Sequence, residues 1–130
     1  MQQEETFRAA YMSKIVDGSR ITVWGKLIKL ETMEYGNRGI LSDCYIDFGE
    51  GIVPCNDIMV YTSTDQYQIG QIHKINGKVN MFSRARNEGN FDAYAYYQSL
   101  KIDFAVYEEE SKVLENELDE IETTLLSLRE

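Results

Sequence analysis

Residues 85–102, with the sequence ARNEGNFDAYAYYQSLKI, decide how the rest of the chain is interpreted. The stretch opens with turn-forming residues, continues as an aromatic segment with helical spacing, and ends where an alternating strand begins. Asn90 is a residue type favoured at a helix N-cap, and Asp92 falls in the first turn, where the helix dipole favours a carboxylate. The pattern predicts a helix over Phe91–Ser99 and a strand over Lys101–Tyr107.

Four further strands are predicted upstream of this stretch. The clearest alternation follows Ile69-Gly70, where Ile75 and Val79 share one face and lysines share the other. Five strands, with one short helix before the last, predict a mainly β protein with an OB-like Greek-key barrel. The earlier strands are predicted from Ser19 through Leu27 with a bend or bulge at Gly25, from Ile40 to Phe48 after a turn over 35–39, and from Gly51 to Tyr61 with Pro54 at an edge.

At 130 residues the chain has the length of a single domain. The barrel is assigned to residues 19–108, after an N-terminal helix or linker over 1–18 and before an acidic amphipathic C-terminal helix over 109–130. The apolar residues of that helix form what we call the C-terminal seam, which spans only two heptads. The seam is expected to dock on the barrel, to self-associate or to lie at a membrane surface, and its residues are Leu114, Leu118, Ile121, Leu125 and Leu128.

The acidic charge is concentrated at the C-terminus. The formal net charge is −9, and residues 108–130 contribute −7 of it, so the rest of the chain carries only −2. A nearly neutral barrel does not exclude a nucleic-acid partner. The first 20 residues lack the continuous apolar core of a signal peptide, which favours either a cytosolic protein or a piece of a longer chain.

The opening stretch contains a specific run of turn, acidic and aromatic residues: Arg86-Asn87-Glu88-Gly89-Asn90-Phe91-Asp92, followed by Tyr94, Tyr97 and Ile102. This run resembles the Asn-Pro-Gly-x-Phe-Asp-Tyr-x-x-Tyr signature of the ComEC family, the DNA-uptake channel of bacterial competence. Segments around Gly25 and Gly77 are similar to barrel strands of that family, so the resemblance covers roughly residues 20–107. The chain departs from the family signature at three places. Glu88 stands where the family usually has proline, and Ala93 stands where an aromatic residue is common. Leu100-Lys101 lacks the glycine that often precedes the final isoleucine.

The resemblance implies an OB-like domain on the extracytoplasmic face of the bacterial cell membrane, within a multi-pass membrane protein. Its implied role is to handle incoming DNA, and its implied partners are DNA and the rest of the membrane channel. Within the run, the resemblance gives a structural role to Asn87, Gly89, Asn90, Phe91, Asp92, Tyr94 and Tyr97.

Two cysteines are predicted to face each other. If Gly49-Glu50 forms a two-residue hairpin loop, Cys44 and Cys55 are directly opposed, at a distance compatible with a disulfide. The alternative is a pair of free thiols, and the extracytoplasmic location implied by the resemblance favours the disulfide. A zinc site would need more ligands than these cysteines and His73 supply.

Basic and aromatic residues around the last two strands are the candidates for contact with DNA. Single-strand binders with OB folds combine a cationic groove with aromatic stacking. The alternative is that Phe91, Tyr94 and Tyr97 plug the end of the barrel and that the lysines form a solvated face. The basic candidates are Arg84, Arg86, Lys74, Lys78 and Arg38, and the aromatic ones are Tyr94, Tyr96, Tyr97 and Trp24.

The sequence gives little support for catalysis. His73 has no nucleophilic partner in any motif, and Asp43, Asp47 and Asp57 lack the glycine pattern of a calcium loop. We therefore expect no enzyme, no cofactor and no metal. The expected function is a domain that contacts or guides incoming DNA, with a structural or protein-interaction module of the channel as the alternative.

Overall fold

A long antiparallel hairpin sets the frame of the fold. The computed structural model describes residues 12–47, 49, 51–64, 67–83, 89 and 92–115. A two-residue turn joins the first two strands, so residues 36–39, predicted as part of a turn, lie in a strand instead. The elements are β1 (Arg20–Met33), β2 (Gly36–Asp47), β3 (Ile52–Cys55), β4 (Asp57–Thr62), β5 (Ile72–Asn80), α1 (Ala93–Ser99) and β6 (Ile102–Leu114).

Five of the strands close into a barrel. Hydrogen-bonded neighbours follow the order β1-β5-β6-β4-β2, and pairing of β1 with β2 closes the ring. β4 and β6 run parallel, and the other paired strands run antiparallel. The short β3 pairs with β2 at the end of the sheet, where Pro54 needs no hydrogen to donate to a further strand. The predicted OB-like barrel and the edge position of Pro54 are confirmed.

The inner wall of the barrel holds the main hydrophobic core. Val23, Leu41, Ile75 and Phe104 are fully buried there, each on a different strand. The alternation predicted for the fourth strand is confirmed, because Ile75 lies inside while Lys78 is exposed. Burial of apolar surface along one face of every strand is what stabilises this closed sheet.

Two glycines allow close contact between strands. A Cβ atom on Gly25 would lie 2.8 Å from Cβ of Leu41 and 2.9 Å from Sγ of Cys44, and the register of β1 against β2 shifts at this glycine. The predicted bend or bulge at Gly25 is therefore confirmed. A Cβ atom on Gly77 would overlap the backbone carbonyl oxygen of Tyr107 on β6.

The predicted strand from Gly51 to Tyr61 is divided in two. Asn56 separates β3 from β4, and both its backbone N–H and its side-chain Nδ2 donate to the buried carboxylate of Asp103, at 3.3 and 3.2 Å. Asn56 thus interrupts the strand because it hydrogen-bonds the buried carboxylate of Asp103. The alternation of apolar and polar residues in the sequence gives no sign of this contact.

The last strand is longer than predicted. β6 continues past Tyr107 to Leu114, which pairs with Ile72 of β5. The helix predicted over 109–130 therefore does not begin at 109, because residues 109–114 complete the sheet and satisfy the backbone of β5. Residues 116–130, with Leu118, Ile121, Leu125 and Leu128, lie outside the described residues, as do residues 1–11 of the predicted N-terminal helix.

The short helix α1 begins later than predicted. Its N-cap is Asp92, whose carboxylate accepts a hydrogen bond from the backbone N–H of Ala95 at 2.8 Å. The prediction of Asn90 as the cap is wrong. A side chain two positions further on supplies the acceptor for the first turn.

The helix α1 lies against the outside of the barrel. Tyr97 stacks on Phe82 with ring centroids 4.3 Å apart and packs against a second apolar cluster of Met59, Ile102 and Ala105. Met59 points away from the main core, because its neighbours on β4 fill the inner wall. The prediction that Tyr97 plugs the barrel end is therefore wrong. Within the described residues, no helix is long and apolar enough to cross a membrane.

The two cysteines face each other as predicted, but they are not bonded. Cys44 and Cys55 are paired residues of β2 and β3, and both are free thiols. Cys44 is buried and its Sγ donates to the carbonyl of Leu41 at 3.2 Å. Burial, followed by the hydrogen bond with Cys55, raises the pKa of Cys44. The register is confirmed, and the disulfide is absent from this structure.

Candidate nucleic-acid interface

Three adjacent strands bring basic side chains to one outer surface of the barrel. Because Ile75 and Val79 of β5 point inwards, the residues just before them, Lys74 and Lys78, point outwards. The strand register places outward residues of β1 and β6 on either side of β5. We call this surface the cationic face, and its five basic residues are Arg20, Lys26, Lys74, Lys78 and Lys112.

Two pairs of like charges are directly opposed on the cationic face. Arg20 pairs with Lys78, and Lys74 pairs with Lys112. Like charges in direct opposition across strands are destabilising. An anion bound between them would relieve that repulsion.

Carboxylates offset part of this charge. Nε and Nη2 of Arg20 donate to the two carboxylate oxygens of Glu109, at 2.8 and 3.2 Å. This hydrogen bonding raises the pKa of Arg20 and lowers that of Glu109. Glu110 pairs with Asn76 in the row between the two like-charge pairs. The cationic face thus keeps an excess of positive charge in a chain whose net charge is −9.

An open depression adjoins Arg20 at one end of the cationic face. It has a volume of about 440 Å³ and is lined by Thr22, Asn76 and Glu109 among others. The Thr22 hydroxyl donates to Oδ1 of Asn76 at 2.6 Å, which fixes both side chains. The depression therefore combines ordered polar groups with the Arg20 guanidinium, which is already paired with Glu109, and with a second carboxylate, that of Asp47.

Trp24 lies on the cationic face but is almost completely buried. Its neighbours across the strands are Lys74 on β5 and Tyr45 on β2, and only 2% of it is exposed. The ammonium of Lys74 stands 5.7 Å from the ring centroid, within reach of a cation–π interaction. The indole Nε1 has no hydrogen-bond partner. Trp24 is therefore not available to stack on a base, contrary to its selection from the sequence.

Arg38 belongs to a different surface, which we call the helix groove. This cavity of about 300 Å³ lies between the β1–β2 hairpin and α1. Arg38 donates to Glu31, and this bond, followed by one from Lys29, lowers the pKa of Glu31. The remaining lining is largely apolar and includes Ile28, Ile40, Met59, Tyr96, Tyr97, Leu100 and Ile102. Charges in the helix groove are thus already paired with one another.

A polar cluster lies at one mouth of the barrel. The hydroxyl groups of Tyr67 and Thr62 both donate to Glu108, at 2.5 and 2.8 Å. His73 is 1% exposed, stacks on Tyr67 with centroids 4.3 Å apart, and has no partner for either ring nitrogen. Burial lowers the pKa of His73, against a smaller opposite effect of Glu108, while burial and Glu108 raise the pKa of Tyr67. His73 is a buried neutral ring without a hydrogen-bonded nucleophile.

The acidic residues near Cys55 do not form a metal site. Asp57 has a raised pKa because of burial and then the neighbouring charges of Asp43 and Asp103. Asp103 is held by Asn56. Among the described residues, no group of three His, Cys, Asp or Glu side chains is arranged to hold a metal ion.

The candidates predicted from the sequence do not form one site. Lys74 and Lys78 share the cationic face, whereas Arg38 lies in the helix groove. Arg84 and Arg86, with Asn87, Asn90 and Phe91, lie outside the described residues. Sequence reasoning missed Arg20, Lys26 and Lys112. A signal existed for the first two, since both alternate with the buried residues of β1.

Comparison with protein-family models gives no match, and comparison with curated proteins gives none either.

Proposed function

We propose that this barrel is a non-enzymatic domain that binds DNA through the cationic face. The observation that carries the proposal is the direct opposition of Arg20 with Lys78 and of Lys74 with Lys112. Like charges in direct opposition repel one another. Glu109 already offsets part of this repulsion through its ion pair with Arg20, and phosphate groups are anions that would offset more of it. Affinity is expected to be weak to moderate, because five cations share the face with two carboxylates.

Phosphate contacts confer affinity without sequence preference. The domain would therefore hold or guide DNA of any sequence, single- or double-stranded. This behaviour is what the resemblance of the run Arg86–Asp92 to the ComEC signature implies for a competence protein. We accordingly propose a ComEC-like DNA-uptake role, outside the bacterial cytoplasmic membrane and next to the rest of the channel.

A charge reversal on the cationic face tests the proposal. The change is Lys78→Glu, and binding of fluorescent 20-nucleotide single strands and duplexes is followed by anisotropy over a salt series. Loss of one phosphate contact should weaken binding by about tenfold at low salt and reduce the slope of log K against log salt by about one.

The matched control is Lys101→Glu, which makes the same charge change on an exposed lysine at the other end of β6. It should leave both the affinity and the salt slope close to those of the unmodified protein. Equal losses in the two variants, or no binding by the unmodified protein at low salt, would refute direct binding through the cationic face.

A protein-interaction module is the second candidate, and the helix groove favours it. Exposed apolar side chains of Ile28, Tyr96 and Leu100 border this cavity, and its charges are mutually paired. A groove of this kind suits an apolar side chain of a partner. The change Lys78→Glu discriminates, since DNA contact through the cationic face would be weakened while docking in the helix groove would be unaffected.

A further inference from the structure

One row of paired residues runs across the outer wall from the cationic face to the helix groove. Lys78 of β5 pairs with Tyr107 of β6, Tyr107 with Tyr61 of β4, and Tyr61 with Arg38 of β2. Neighbouring strands lie about 4.8 Å apart, so these four positions span about 14 Å. Two tyrosines therefore lie between a lysine and an arginine along one line across the sheet.

Tyr61 and Tyr107, which we call the tyrosine pair, form a stacked platform on this surface. Their ring centroids are 5.1 Å apart, and the ring planes are 26° from parallel. Val60 and Val106, just before them in the chain, belong to the inner core, so both rings point outwards. Tyr61 packs against the outer apolar cluster, whereas Tyr107 is 50% exposed. Tyr61 thus fixes one face of a ring that is half exposed.

The exposed part of Tyr107 borders the cationic face. The strand order places Lys78 on the side of Tyr107 that is away from Tyr61, and Arg20 follows Lys78 in the same row. The nearby carboxylate of Glu109, on the same strand as Tyr107, is held by Nε of Arg20 at 2.8 Å. An aromatic ring and an ammonium group thus lie side by side.

An exposed aromatic ring next to a cation suits single-stranded nucleic acid. The phosphates complement the cations, and every base has a flat face that can stack on the ring. In a duplex each base is already stacked inside the helix, so a duplex can contact this row only through its phosphates. If the tyrosine pair served only to stabilise the sheet, single strands and duplexes would depend on it equally.

We propose that the tyrosine pair is a stacking site for single-stranded DNA, with one base on the exposed part of Tyr107 and an adjacent phosphate at Lys78. The inference rests on the proposed function, because it adds a base contact to the phosphate contacts of the cationic face. Single strands then bind more tightly than duplexes of the same length, and they do so whatever the identity of the stacked base.

The variant Tyr107→Leu tests the stacking site, because leucine keeps an apolar contact with Tyr61 and removes the aromatic face. Binding of a 20-nucleotide single strand, followed by anisotropy, should weaken by about tenfold, while binding of the duplex should stay unchanged. The slope of log K against log salt should also stay unchanged, since no phosphate contact is lost. Unchanged binding of the single strand, or equal weakening for strand and duplex, would overturn the proposal.

Two control variants tie the result to the ring of Tyr107. Tyr107→Phe keeps the aromatic face and should bind single strands as the unmodified protein does. Tyr35→Leu removes a tyrosine that is 91% exposed on the turn between β1 and β2, outside the row, and should change neither affinity. Thermal unfolding shows whether each variant keeps the barrel. Equal losses in Tyr107→Phe and Tyr107→Leu would show that the ring face is not the contact.

A second measurement needs no variant. A strand of 20 abasic nucleotides keeps the phosphates but has no base to stack, so the unmodified protein should bind it about tenfold more weakly than a normal strand. In Tyr107→Leu this difference should become smaller. Equal binding of the two strands by the unmodified protein would contradict the stacking site.

Failure of the stacking site and failure of the proposed function give different results. If Lys78→Glu weakens binding and reduces the salt slope but Tyr107→Leu has no effect, DNA binding through the cationic face stands and the stacking site is refuted. If the unmodified protein binds neither single strands nor duplexes at low salt, the proposed function fails and the stacking site fails with it.

Discussion

The inner and outer walls of this barrel are built from alternate residues of the same strands, and they differ in how their residues are grouped. Inside, Val23, Ile75 and Phe104 are fully buried in one continuous cluster. Outside, the surface is divided into a cationic face, a helix groove and a small cluster under α1. The inner wall contains the main hydrophobic core, and among the described residues the outer wall contains both candidate binding surfaces.

The sharpest test of this division compares two phenylalanines. Phe104→Ala removes a fully buried ring from the inner wall and should cost about 3–5 kcal/mol of unfolding free energy. Phe82→Ala removes the same ring from the outer cluster, where it is half-buried, and should cost about half as much or less. Urea denaturation measures both. Equal costs would show that the outer cluster is as much a part of the core as the inner one.

A second prediction concerns Cys44 and Cys55, which face each other where β3 pairs with β2 at the edge of the sheet. Treatment with an oxidised dithiol would let the less buried Cys55 react first, after which Cys44 displaces the reagent and closes the bond. Closing this loop should stabilise the protein by about 2–3 kcal/mol, less any strain. Thiol titration of the unfolded protein should fall from two sulfhydryls to none. Cys55→Ser is the control, and an unchanged titration would show that β2 and β3 hold the sulfurs apart.

The inner wall was predictable from the sequence because it depends on local alternation. The pattern around Ile75 and Val79, the bend at Gly25 and the facing cysteines were each available from neighbouring residues. The break at Asn56 was not, since its cause is Asp103, 47 positions away. The full length of β6 was not predictable either, because the acids from Glu108 onward obscure its alternation.

A smaller loss of stability is expected from a change at Gly77, where the backbones of β5 and β6 lie close together. Gly77→Ala would push a Cβ atom into the backbone of β6 at Tyr107, at a cost of about 1–3 kcal/mol. Gly70→Ala is the control, since its Cβ would contact nothing and only the positive φ of 97° opposes it. The midpoint of thermal unfolding should fall further for Gly77→Ala. The reverse order would mean that β5 and β6 separate easily.

The candidate site was less predictable because it depends on long-range register. Arg20, Lys78 and Tyr107 lie in one row although they are far apart in sequence. Only the β2–β3 hairpin had a register that could be worked out beforehand. The prediction therefore found Lys74 and Lys78 but joined them to Arg38, which the barrel places on another surface.

The smallest expected effect concerns His73, where a polar ring lies on the inner wall. It faces Tyr67 and Glu108, and its burial lowers its pKa below that of the unfolded chain, about 6.5. The folded protein then binds this proton less readily than the unfolded one. Stability should be complete above pH 6.5 and should fall as the pH decreases, by at most about 1.4 kcal/mol per pH unit.

The chain contains a single histidine, so His73→Phe isolates this contribution. Phenylalanine keeps the stacking on Tyr67 and removes two ring nitrogens that have no partner. The variant should be at least as stable as the unmodified protein, because an unsatisfied buried polar group costs about 1–3 kcal/mol. Its urea midpoint should also vary less between pH 7.5 and 5.5. Parallel pH profiles would show that the ring takes up its proton equally well in the folded state, and that the inner wall admits water at this mouth.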